Sequence, residues 1–109
     1  METIYKICSR AEWASAVATA EYVGSADDAR DGFIHFSFVH QLAGTAAKYF
    51  AGRTDLVLIA IDPTPLGGAL KLEPSRGGEL FPHLYGPLPT RFALRVHALP
   101  WDCTAHEWP

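Results

Sequence analysis

The chain has 109 residues, 49% of them hydrophobic and 19% charged, with a formal net charge of −3. This is the composition of a globular domain, and it excludes a disordered chain, which needs lower hydrophobicity and a larger net charge. Nine Lys and Arg are spread along the sequence with no basic cluster, so the electrostatic footprint of a nucleic-acid binder is missing and nucleic acid is not an expected partner.

The length predicts one domain over 1–109, with a core over about 2–99 and a tail over 100–109. The longest apolar run, Leu56 to Ile61, is far too short to span a bilayer. With no signal-peptide pattern either, the expected location is the cytoplasm and no membrane partner is expected. Cys8 sits in an apolar run and reads as a small buried residue. A single disulfide to Cys103 stays open.

Thr3 to Cys8 reads as a strand, with Ile4, Tyr5 and Ile7 supplying strand propensity. Ser9 follows as a helix N-cap, with Glu12 completing a capping box. The helix is predicted to run to about Ala20, with Trp13, Ala16, Val17 and Ala20 as its buried stripe. Gly24 to Gly32 is polar and reads as a loop with room for one helical turn. Phe33 to Phe36 is a short strand. Ser37 is then the predicted N-cap of a second helix, with Val39, Leu42, Ala43, Ala46, Tyr49 and Phe50 on its apolar face and Gly52 as terminator. Leu56 to Ile61 is apolar throughout and predicts a strand covered on both faces. Asp62 to Gly68 is a compact turn, Ala69 to Glu73 a strand, and Pro74 to Gly78 a loop. Thr90 to Leu99 alternates as a half-buried strand. The tail from Trp101 to Pro109 is expected to pack through Trp101 or Trp108. Helices fall in the first half and strands mostly in the second, which predicts an α+β fold.

Two segments carry the candidate chemistry. In Phe33-Ile34-His35-Phe36-Ser37, strand alternation puts Phe33, His35 and Ser37 on one face. A helix starting just after Ser37 would aim free N–H groups at the same region, a natural anion site. The plainer alternative is a core histidine beside a capping serine. In Phe81-Pro82-His83-Leu84-Tyr85-Gly86, Pro82 removes a ladder donor and predicts an edge strand or loop presenting His83 and Tyr85. The alternative here is a rigid connector with aromatic anchors. Glu73, Gln41, Tyr5, Lys6, Arg76 and Glu79 are polar residues that folding could bring to the same place. No H-x-x-H, H-E-x-x-H or paired-Cys pattern is present, so no metal site is expected.

Ile4-Tyr5-Lys6-Ile7, Trp13, Asp31-Gly32-Phe33-Ile34-His35-Phe36-Ser37, Gln41, Leu56 to Asp62, Glu73 and Phe81 to Leu88 resemble the bacterial domain-of-unknown-function family 952, over residues 2 to about 99. The resemblance implies a fold like small relatives of the ADP-ribosyltransferases. That fold is a split, twisted mixed or antiparallel β-sheet with two main helices packed on it. It also implies Tyr5 and Lys6 on the early strand of a ligand site, His35 and Ser37 on the middle one, Glu73 or Glu79 as a late acid, and NAD as a candidate cofactor.

The expectation is a small enzyme-like domain whose His-lined pocket takes a phosphate-bearing or nucleotide-like small molecule. His35, His83 and Glu73 are its candidate catalytic residues. Tyr5, Lys6, Ser37, Gln41 and Tyr85 are its candidate ligand contacts. The alternative is a non-catalytic binding module that uses the same cleft.

Overall fold

Strands β1 (Ile4–Ser9), β4 (Leu56–Ile61) and β8 (Ala93–Leu99) form one antiparallel sheet in the order β1-β4-β8. Strands β3 (Ile34–His35), β5 (Leu70–Pro74) and β6 (Leu80–Leu84) form a second in the order β3-β6-β5. A two-residue pair, β2 (Glu21–Tyr22) with β7 (Leu88–Pro89), lies apart from both. Tyr5 and Ser37 exchange backbone hydrogen bonds of 2.8 and 2.9 Å, which stitch the first sheet to the chain just after β3. Among the described residues three α-helices complete the fold: α1 (Arg10–Thr19), α2 (Ala26–Asp31) and α3 (Leu42–Tyr49). The computed structural model describes residues 1–101, 106 and 108–109. Cys103, and with it the question of a disulfide to Cys8, lies outside the described residues. Among the described residues no helix is long and apolar enough to cross a membrane.

The all-apolar run of β4 is covered on both faces, as its composition predicts. Val57, Ile59 and Ile61 pack with Ile4, Cys8, Trp13 and Ala16 on the α1 side. Leu56 and Leu58 pack with Ile7, Leu42, Ala46 and Leu99 on the α3 side. Each fully buried aliphatic here contributes about 1.5–3 kcal/mol, so this strand is the spine of the molecule. Burial also pushes the Cys8 thiol up to about 12, which leaves it a packing group.

Several expected boundaries are corrected. Ser9 caps α1 by accepting from the Glu12 N–H at 3.0 Å, but the Glu12 carboxylate accepts from the Tyr22 hydroxyl instead of closing the box. Ala20 ends α1 in the left-handed region, and it and Val17 are exposed, leaving Trp13 and Ala16 as the buried stripe. The expected loop over Gly24 to Gly32 contains α2, whose N-cap Ser25 and Asp28 form the complete capping box. The second helix does not start at Ser37. A 3-10 turn over Val39–Gln41 comes first, and α3 opens at Leu42. β8, expected as a half-buried strand, is the edge strand beside β4 among the described residues, and Leu94 and Val96 are exposed. Gly44 stands inside α3 at a cost of about 1 kcal/mol relative to Ala.

Pro82 is not at an edge, as its missing N–H suggested, but in the central strand β6. The Phe36 N–H donates to the Pro82 carbonyl at 3.0 Å. The return bond is the one proline cannot make, and β3 ends one residue earlier, at His35. The missing donor thus costs the ladder only its last rung.

Candidate functional site

The β3-β6-β5 sheet divides its side chains by parity. Ile34, Phe36, Leu70 and Leu84 face the main core. The opposite face carries Phe33, His35, His83, Tyr85 and Glu73. His35 and His83 are direct cross-strand partners, and their rings meet edge to face with centroids 5.4 Å apart. Phe33 stacks on His83 at 4.0 Å and contacts the rings of His35 and Tyr85.

His83 is only 4% exposed. Its Nδ1 lies 2.9 Å from Glu73 Oε1, a diagonal neighbour on β5. The Tyr85 hydroxyl donates to the same oxygen at 2.7 Å. These two bonds, Tyr85 first, hold the Glu73 carboxyl below its ordinary value. An ionised Glu73 can only accept, so it fixes the proton of His83 on Nδ1 and leaves Nε2 as an acceptor. That Nε2 is buried and has no hydrogen-bond partner among the described residues.

His35 is organised from the other side, by α2. Asp28 is 3% exposed and accepts from Lys6 Nζ at 2.8 Å, from His35 Nδ1 at 2.6 Å, and from the backbone N–H groups of Ser25 and His35 at 2.8 and 3.1 Å. Burial opposes its charge, but His35, Lys6 and the Ser25 N–H more than offset this and hold the carboxyl far below its ordinary value. Asp31, one turn further along α2, puts Oδ2 3.0 Å from His35 Nε2. The ring therefore lies between two carboxylates.

Gly24 is what lets Asp28 reach inward. Its φ is +102°, and an added Cβ would stand 2.7 Å from the Asp28 Cβ. Gly24→Ala is expected to lower stability by about 1–3 kcal/mol through the backbone conformation alone and to loosen the Asp28–Lys6 pair as well. A thermal melt reads the first effect and the His35 side-chain NMR shifts read the second.

The two histidines line a cleft of about 200 Å³, together with Ser37, Thr45, Arg76 and Asp31. The candidate residues divide as follows. Tyr5, Lys6, His35, Ser37 and His83 all border this cleft. Lys6, expected as a ligand contact, is 5% exposed, and its ammonium is committed to Asp28 and to the His35 carbonyl at 3.0 Å. Ser37 does not open a helix. Its hydroxyl is 3.1 Å from that of Thr45, and the Phe38 N–H that a helix start would have left free donates to Gln41 Oε1. The expected anion site at a helix start is thereby lost. Gln41 also donates to Glu79 and to the Leu80 carbonyl, tying α3 to β6 away from the cleft. Glu73 and Tyr85 sit behind His83 rather than in the cleft, so Tyr85 does not close it.

Asp28, Asp31 and Thr45 were not among the candidates, and Arg76 was only a flanking one. Ser25-x-x-Asp28 is a capping-box spacing, and that signal marks both the missed helix and its buried acid. Nothing local marks Thr45 or Arg76, which meet across 31 residues of sequence.

Among the described residues no group of three or more His, Cys, Asp and Glu side chains is arranged to hold a metal ion. No curated protein matches the chain. The X-ray crystal structure of protein CC0527 from Caulobacter crescentus is similar to it, with a TM-score of 0.93 at 48% identity, over 97% of this chain and 94% of that one. A crystal structure of a double mutant of CC0527 gives a TM-score of 0.92 at 48% identity, over 97% and 94%. The solution NMR structure of CC0527 gives 0.86 at 50% identity, over 97% and 91%. Residues 7–96 match the family model described as protein of unknown function, DUF952, and the chain belongs to that family.

Proposed function

We propose that the cleft binds a phosphate-bearing or nucleotide-like small molecule, with His35 and His83 as an acid–base pair on one side of it. The observation that carries this reading is the Nε2 of His83. A buried polar atom without a partner is costly, and folded proteins keep few of them. One on a residue that borders a cleft beside a second histidine is accounted for when a ligand supplies its partner. The carboxylate behind His83, Glu73, sets which of its nitrogens carries the proton, as a general acid or base requires, and Asp28 holds the His35 ring in place. The two split antiparallel sheets support a relationship to the ADP-ribosyltransferase fold, so NAD and ADP-ribose belong among the ligands to be tried.

A second reading, a binding module without turnover, is favoured by one specific feature. Both ring nitrogens of His35 face carboxylates, which suits a fixed donor more than a proton shuttle. The two readings part at His35→Gln, which abolishes turnover under the first and leaves binding largely intact under the second.

The test is an amide NMR titration of the whole chain with AMP, ADP-ribose, NAD and inorganic phosphate. Shifts confined to residues around His35 and His83 are expected at millimolar ligand. If none of the four moves those amides, the proposal fails.

A further inference from the structure

The proposed ligand is anionic, and the expected helix-start anion site does not exist, so some other group must meet the charge. Resting on the phosphate-ligand reading, we infer that Arg76 is the specificity-determining residue that receives the phosphate group, aimed by Thr45 and accommodated by Gly44. Of the cations that line the cleft, Lys6 is ion-paired to Asp28, and Arg30 to Asp27 and Asp31. Arg76 has no carboxylate within ion-pair distance among the described residues. Glu79 is near enough to feel its charge without pairing with it, and Arg76 is half-buried, so a guanidinium with no paired carboxylate is costly unless a ligand completes it.

Its posture is also fixed in advance. Nη1 donates to Thr45 Oγ1 at 3.2 Å, Nη2 reaches the Gln41 carbonyl at 3.5 Å, and the guanidinium carbon lies 5.0 Å from the centre of the Phe81 ring. A guanidinium has five N–H donors in a planar fork, and these contacts leave most of them free for a bidentate anion. The Ser37 hydroxyl, 3.1 Å from that of Thr45, is a second polar group at the same spot.

Gly44 supplies an independent observation. It sits in α3 with ordinary helical geometry, so its conformational freedom is not used. What matters is its missing side chain. A Cβ there would stand 2.9 Å from Arg76 Nη2 and 3.4 Å from the guanidinium carbon. The glycine that weakens the helix is the one that gives the arginine its place.

The experiment is a titration of wild type, Arg76→Ala, Arg76→Lys, Gly44→Ala and His83→Phe with AMP and with adenosine, alongside melts of each variant. Wild type is expected to bind AMP at least tenfold more tightly than adenosine. Arg76→Ala removes that preference and leaves adenosine binding unchanged, and Arg76→Lys restores only part of it because the fork is gone. Gly44→Ala melts no lower than wild type yet loses AMP affinity, since it displaces the guanidinium. If Arg76→Ala binds AMP like wild type while His83→Phe does not, Arg76 is not the phosphate group's partner and the cleft reading stands without it. If wild type binds neither compound, both fall together.

Discussion

Asp28→Asn lowers the melting temperature by on the order of 12 °C or more, the largest stability loss of any single change at this site. The reason lies with Lys6 more than with the aspartate. Lys6 is 5% exposed and has two acceptors, the Asp28 carboxylate and the His35 carbonyl. Removing the carboxylate leaves a buried ammonium with no counter-charge, a loss of about 3–5 kcal/mol, and each kcal/mol moves the melting point of a domain this size by about 4 °C. The converse change is milder. Lys6→Met leaves Asp28 with His35 and two backbone N–H donors, so it is expected to cost less than half as much. Thermal melts of the two variants check the ranking. Equal losses would mean that the pair, rather than the asymmetry of its surroundings, decides. The same residue sets an acid limit. Because the Asp28 carboxyl titrates lower in the folded chain than in the unfolded one, its charge stabilises the fold above the ordinary value of 3.8, and that contribution is lost as pH falls below it. Asp28→Asn should therefore flatten the acid limb of a stability-against-pH curve as well as lower its plateau.

Much of the site's frame is legible in the chain itself, and the boundary of that legibility is physical. Strand parity needs only a period of two, so it separates His35 from Ile34 and Phe36 and places it beside His83 once the strands pair. The buried run of β4 is equally plain, because six consecutive apolar residues leave no polar face to expose. Pro82 reads wrongly because a missing donor matters only where a partner carbonyl exists, and whether β3 extends far enough to offer one is a tertiary fact. Ser37 reads wrongly for a related reason. A serine before an apolar run is a cap only if the helix starts there, and Gln41, folding back onto the Phe38 N–H, delays the start to Leu42. Lys6 and Arg76 have the same charge and border the same cleft, yet among the described residues one is paired with a carboxylate and the other is not. That difference depends on α2, which brings Asp28 under β1, and on Gly44, which clears the ground beneath Arg76.

His83→Phe is expected to keep or raise the melting temperature while weakening AMP binding roughly 2- to 13-fold, the worth of one neutral hydrogen bond, from a ligand hydroxyl or amino group to Nε2, at about 0.5–1.5 kcal/mol. In the folded chain the His83 Nε2 is desolvated without a partner, at a cost of about 1–3 kcal/mol. Phenylalanine removes that cost, occupies a similar volume, and keeps the stack on Phe33, now 4.0 Å away. The bond to Glu73 is lost, but Glu73 retains the Tyr85 hydroxyl and is part-exposed, so no buried group is orphaned in return. A structural anchor behaves the other way. If His83 serves only to hold β5 and β6 together through Glu73, His83→Phe lowers the melting temperature and leaves binding unchanged. Glu73→Gln makes the contrast sharper. The amide oxygen still accepts from the Tyr85 hydroxyl and from His83 Nδ1, so Nε2 stays an acceptor and AMP binding is expected to change little. Any step that places a positive charge on the His83 ring loses the carboxylate that faces it, so turnover falls. Binding that persists as turnover falls is an outcome no purely structural role for His83 produces.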